Sequence, residues 1–134
     1  MKRLWIGVVI LVILSLLGIG STLAMEKIHA PIARQLESAS EAAVSGHWQE
    51  ARILAAGAKV RWEQHRKFVA CISDHEALEA ADARFARLDA LQESGERIAF
   101  AAVCAELSAM FDALADMQDL RNLMLSFVSY YLYQ

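Results

Sequence analysis

The chain has 134 residues, 57% of them hydrophobic, and a formal net charge of −3. With Lys2 and Arg3 set aside, eleven Lys and Arg face sixteen Asp and Glu, which excludes the basic face that nucleic acid requires and leaves no polybasic motif for anionic lipid. One Pro and six Gly permit long helices almost everywhere.

Leu4 to Ala24 carries no charge, and about twenty such residues are what a bilayer core requires of a helix. Lys2 and Arg3 precede the run and every acid follows it, so the positive-inside rule keeps the first residues in the cytoplasm. Lys27 and Arg34 reduce this asymmetry and Glu26 offsets them. The expectation is an N-terminal membrane anchor over residues 1–24, a single pass through the cell membrane, with an extracytoplasmic domain beyond it. The alternative is a signal peptide cleaved after Ala24, since Thr22-Leu23-Ala24 has a small-x-small form. Against cleavage, the run exceeds the usual signal core of roughly 7–15 residues. No Cys follows it directly, which rules out lipoprotein processing. Gly7, Gly18 and Gly20 read as small residues tolerated in a membrane helix.

Residues 25–118 read as a helical domain. Ile28, Ile32, Leu36, Ala39 and Ala43 recur three or four apart on a first helix. Pro31 lies inside that pattern and either starts a new helix or kinks one leaving the membrane, which makes Glu26 to Ala30 the joint between anchor and domain. Ser45-Gly46 ends the helix, glycine being the cheap left-handed cap. A second helix carries Trp48, Ala51, Ala55, Ala58, Trp62, His65, Val69 and Ile72 as one heptad-like seam. Ser73 or Asp74 can cap a third, with Glu76 in its first turn. That helix points Leu78, Ala81, Phe85, Leu88 and Leu91 inward and stops at Ser94-Gly95. A fourth begins near Glu96 with Phe100, Val103, Leu107, Met110, Leu114 and Met117 at the same spacing, and Ile98, Cys104 and Phe111 widen its stripe.

The two Ser-Gly breaks lie 49 residues apart, so the domain reads as two antiparallel helical hairpins. Residues 119–134 form an apolar C-terminal segment in which Leu120, Leu123, Met124, Phe127, Val128 and Tyr131 share one helical face, with Asn122, Ser126 and Ser129 on the other. It reads as a last helix docked on the bundle, as a surface for a partner or the membrane interface, or as a strand, since Phe, Val and Tyr are β-prone.

Few residues offer chemistry. His65, Asp74, His75 and Glu79 fall near one end of the second and third helices and are the candidates for a metal site. They lack the His-Glu-x-x-His arrangement and any His pair four apart, and cap chemistry already accounts for Asp74 and His75. Cys71 and Cys104 would differ in height by roughly 20 Å on parallel helices at 1.5 Å per residue. A disulfide needs Cα atoms within about 7 Å, so two free thiols packed as small hydrophobes are expected. The chain has no phosphate loop, nucleophile elbow or Cys-x-x-Cys. The expectation is therefore a non-enzyme with no cofactor.

Gly46-x-Trp48-x-x-Ala51, followed by Ala55 and Ala58, resembles the helix junction of a tetratricopeptide repeat over some fifteen residues. The spacing of 49 departs from that family's repeat of about 34. Only its local hairpin packing is implied. From Met1 to Ala115 the chain resembles the uncharacterised bacterial family called domain of unknown function 4363. The likeness is carried by Met1-Lys2-Arg3-Leu4-Trp5-Ile6-Gly7, Met25-Glu26-Lys27-Ile28-His29, Gly46-His47-Trp48-Gln49-Glu50-Ala51, Arg61-Trp62-Glu63-Gln64-His65 and Asp74-His75-Glu76, while the stretch after Gln118 departs from it. The resemblance implies a short basic start, one anchor and a small helical domain, and no activity. The combined expectation is an all-α, membrane-tethered, extracytoplasmic interaction module with a protein partner, which can be another membrane protein. The alternatives are a metal- or His-dependent site at the end of helices two and three, and a secreted binding protein released by signal cleavage.

Overall fold

The computed structural model describes residues 1–71 and 73–132, with side chains described except at 21, 22, 25, 117–122, 129, 131 and 132. Four helices account for nearly all of it: α1 (Lys2–Val44), α2 (Trp48–Ala70), α3 (His75–Ser94) and α4 (Arg97–Leu132). The described residues include no strand, which removes the β reading of the C-terminal segment for residues up to 132.

No joint separates the apolar run from the domain. α1 passes through Pro31 as one helix of 43 residues, about 64 Å long at 1.5 Å per residue. Proline's φ suits a helix, but its missing N–H deprives the Lys27 carbonyl of its partner, a defect of about 3 kcal/mol. Burial next to it offsets this. Ile32 and Leu36 are fully buried, at roughly 1.5–3 kcal/mol each. Tertiary packing thus carries the helix across Pro31, which selects the continuing helix over a new one starting there.

The turns follow from two glycines. Gly46 and Gly95 have φ of 85° and 73°, the left-handed region that only glycine enters cheaply. After α1, the His47 amide donates to the Ala42 carbonyl and the Gly46 amide to the Ala43 carbonyl. After α3, the Glu96 amide donates to the Leu91 carbonyl. These bonds satisfy carbonyls the helix ends would otherwise leave open, and each reverses the chain within a few residues.

Each helix packs on its neighbour in chain order, and α4 returns to α1, the most extensive pairing of the four. The α1–α4 register is visible in two side-chain hydrogen bonds. Ser40 Oγ donates to the Ala101 carbonyl at 2.8 Å and Ser108 Oγ to the Ala33 carbonyl at 2.9 Å. Hydroxyls as short as serine's reach a neighbouring backbone only if the helices are close. The small buried residues Ala33, Ala39, Ala101 and Cys104 permit that approach. Stepping seven residues back along α1, from Ser40 to Ala33, advances seven along α4, from Ala101 to Ser108, so the two helices run antiparallel.

The core is largely the expected set, with Trp48, Leu91, Met110 and Leu114 only partly buried at its margin. Ala51, Ala55, Ala58, Trp62 and Val69 of α2, Leu78, Ala81, Phe85 and Leu88 of α3, and Phe100, Val103, Cys104, Leu107 and Phe111 of α4 are buried. Ile98 is instead 86% exposed, because two residues before Phe100 means about 200° around the helix. His65 is only half-buried, at the edge of the seam. Cys71 is exposed just past the end of α2 and so is not packed as a small hydrophobe, whereas Cys104 is buried; both thiols are free. The expected seam member Ile72 lies outside the described residues, as does the side chain of Met117.

Phe111 joins three of the helices that surround it, its ring lying 5.3 Å from Trp62, 5.6 Å from His29 and 6.2 Å from Phe85. Phe111→Ala should cost about 3–5 kcal/mol, whereas Ile98→Ala on the same helix should stay within about 0.5 kcal/mol. Thermal unfolding of the full chain in detergent micelles checks both. A Phe111→Ala midpoint close to the parent's would contradict this placement.

Candidate functional site

The four sequence candidates for a metal do not converge. His65 spends its Nδ1–H on the Arg61 carbonyl of its own helix, at 2.8 Å. Asp74 precedes α3 as its N-cap without a side-chain capping bond. His75 and Glu79 are exposed. Among the described residues no group of three His, Cys, Asp or Glu is placed to hold a metal ion.

What the α2–α3 contact holds instead is a polar clamp. Asp82 of α3 accepts from Trp62 Nε1 at 2.8 Å and from Arg66 Nε at 2.7 Å, both on α2. The Arg66 bond first, and then the Trp62 bond, hold the Asp82 carboxyl below the usual carboxylate range. Further along, Lys59 pairs with Asp89, and that bond raises the ammonium above its ordinary value. A shallow open groove lies between these ties, lined by Lys59, Trp62, Glu63, Asp82, Phe85 and Asp89. Three of its charged groups are already paired across it, so it offers a recognition edge more than a reactive one.

The residue that sequence reading passed over is His29. It is fully buried on α1, tilted against Phe111, and neither ring nitrogen has a hydrogen-bond partner among the described residues. Loss of solvation pushes its pKa down to about 4, so it is a neutral imidazole at pH 7. The available sequence signal was its spacing, three before Ile32 and seven before Leu36, on the core face of α1. His29 lies one turn along from Glu26, at the end of the bundle where the apolar half of α1 emerges.

Beyond that end the surface changes character. Between Leu4 and Leu23 the large apolar side chains of α1 are exposed, and residues 2–20 bury nothing. This is a helix long and apolar enough to cross a membrane or to serve as a signal sequence. A second stretch, Arg97–Asp116, passes the same length test but supplies the bundle's core through Phe100, Val103, Leu107 and Phe111. Past it, α4 continues to Leu132 with Leu123, Met124, Leu125, Phe127, Val128 and Tyr130 exposed.

Residues 20–123 match the family Domain of unknown function (DUF4363), well over half of the chain. The chain belongs to this family. The match begins inside the apolar run and extends past Ala115, so it takes in the segment just after Gln118 that sequence reading set apart. No curated protein and no solved structure matches the chain.

Burial of neutral His29 makes stability depend on pH. Its folded value of about 4 lies below the ordinary 6.5, so the unfolded chain binds the proton more tightly. Stability is therefore complete above about pH 6.5 and declines as pH falls toward 4, by about 2 kcal/mol between pH 7 and 5. Asp82 acts in a separate window below about pH 4, where its depressed carboxyl finally protonates. His29→Leu should be neutral or stabilising at pH 7 and should flatten the decline between pH 7 and 5. Denaturant titrations of the two full-length proteins at both pH values measure this, and an unchanged slope in the variant would refute the assignment.

Proposed function

We propose that the protein is a membrane-tethered, extracytoplasmic helical module that binds a protein partner and carries out no chemistry of its own. The observation that supports this best is α1, one helix that is exposed and apolar over residues 4–19 and buried in the bundle from His29 onward. Such a run left in water would expose far more contiguous apolar surface than soluble proteins keep, and a bilayer removes that cost. Lys2 and Arg3 at its start favour a cytoplasmic N-terminus and a domain on the other side. The domain is then two antiparallel hairpins, with tetratricopeptide-like packing at the Gly46 corner, held upright by a helix that continues into the anchor. On its solvent side, Ile53, Val60 and Phe68 are exposed along one side of α2, a natural contact for a neighbouring membrane protein.

The native cysteines test the topology. Cys71 is exposed while Cys104 is buried, and burial pushes the Cys104 thiol up to about 12, so the chain has one reactive thiol at neutral pH. A membrane-impermeant maleimide added to intact cells should label Cys71 in a protein that still contains residues 1–24 by mass. Labelling that appears only after lysis would reverse the topology, and a labelled product starting at Met25 would identify a cleaved signal instead.

The partner surface has its own test. Crosslinking in native membranes should give a discrete heteromeric product, and Val60→Glu should reduce its yield at least severalfold without changing the protein's abundance. If only the monomer is recovered from the parent protein, the interaction reading fails.

A further inference from the structure

We propose that residues 122–132 of α4 are immersed in the acyl-chain region of the same bilayer, beside the anchor. The inference rests on the tethered reading above and adds a second membrane-embedded element to it.

The register carries the argument. Ser40 to Ala33 on α1 answers Ala101 to Ser108 on α4, and His29 four residues further back answers Phe111 three residues further on. Continued in the same steps along two unbroken helices, the pairing sets Glu26 level with Leu114 and Ala115. Leu17 is then level with Met124, and Leu14, midway along the apolar run, with Phe127. Arg121, the last charge on α4 within residues 97–132, is level with Gly20, about one turn inside the outer end of the uncharged run. The two helices therefore lose their charges within about 9 Å of each other in height, six residues at 1.5 Å per residue, although they approach that level in opposite chain directions.

Below that height α4 has the character of a lipid-exposed segment. Residues 122–132 contain no Asp, Glu, Lys or Arg and rise about 16 Å at 1.5 Å per residue, roughly half of the hydrocarbon thickness of about 30 Å. Leu123, Met124, Leu125, Phe127, Val128 and Tyr130 are between 54% and 72% exposed. At about 100° per residue these six cover more than half of the helix circumference. A helix docked on protein would instead bury one stripe and expose polar residues opposite it. In sequence spacing Asn122, Ser126 and Ser129 share the remaining side, and small polar residues of this kind are tolerated where membrane helices face one another. Up to its last turn, a continuous helix satisfies its own backbone in hydrocarbon, and only the final four carbonyls need partners outside it.

The test uses the full chain carrying Cys71→Ser, so that Cys104 is the only native thiol left and it is buried. Single cysteines at Leu123, Leu125, Phe127 and Val128, and at Val12 in the apolar run, receive a nitroxide. The proteins are reconstituted in vesicles of phosphatidylcholine and phosphatidylglycerol, and collision with oxygen is compared with collision with a water-soluble nickel chelate. The expected result is oxygen-dominated collision at all four α4 positions, at least severalfold over the chelate and deepening from Leu123 to Val128, with Val12 behaving likewise. Chelate-dominated collision on α4 while Val12 stays in lipid would overturn this inference and leave the tether standing. Labels immobilised and screened from both reagents with a three-to-four-residue period would overturn it in favour of a protein partner or a second copy. Chelate access at Val12 itself would remove the tether and this inference together.

Discussion

The close antiparallel contact between α1 and α4 is the constraint from which the arrangement follows. Two serine hydroxyls, Ser40 and Ser108, each reach a carbonyl of the opposite helix, which ties the helices at points seven residues apart on each. Hydrogen bonds of this kind contribute only about 1 kcal/mol each net. Their weight lies in register, because a shifted pairing would bury a hydroxyl with no acceptor at a cost of about 1–3 kcal/mol. Once α1 and α4 are set, the short glycine turns leave α2 and α3 little choice of position.

The two sides of the bundle are held by different physics. On the α1–α4 side small residues and apolar burial dominate. On the α2–α3 side the contact is narrower and is tied by Asp82 with Trp62 and Arg66 and by Lys59 with Asp89. Exposed ion pairs of this type contribute little to stability, so this is the side on which the helices part most cheaply. Phe111 connects the two regimes through its ring contacts with His29 on α1, Trp62 on α2 and Phe85 on α3. A buried imidazole with no hydrogen-bond partner among the described residues is a stability cost at every pH, and a larger one when protonated.

Much of this was legible in the chain. Three-to-four spacing identified the buried positions of α2 and α3 and most of those of α4, though not Ala101 and Ser108, and Ser-Gly located both turns that need a left-handed residue. What spacing left open or missed has a physical origin. Pro31 leaves a new start and a continuing helix both open, because local propensity opposes it inside a helix; packing of Ile32 and Leu36 decides for the continuing helix. Ile98 is apolar and near the stripe in sequence, yet stands on the far side of the helix. His29 was invisible because a polar residue type was not sought at a core spacing, and nothing in composition announces an imidazole that has lost both partners. The four polar residues near the α2–α3 turn stay apart because nearness to a turn does not aim side chains at one point, and His65 is already committed to its own backbone.

The family match reads differently once the register is known. Its limits, residues 20 and 123, lie far apart in the chain but nearly level on α1 and α4, since Gly20 stands opposite Arg121 and Leu123 opposite Gly18. The matched region is thus the bundle together with the first turn of each apolar extension, and it stops on both helices at one plane. On the tethered reading proposed above, both helices reach that level where a bilayer begins: their last charges, Glu26 on α1 and Arg121 on α4, then fall within about 9 Å of each other in height at 1.5 Å per residue.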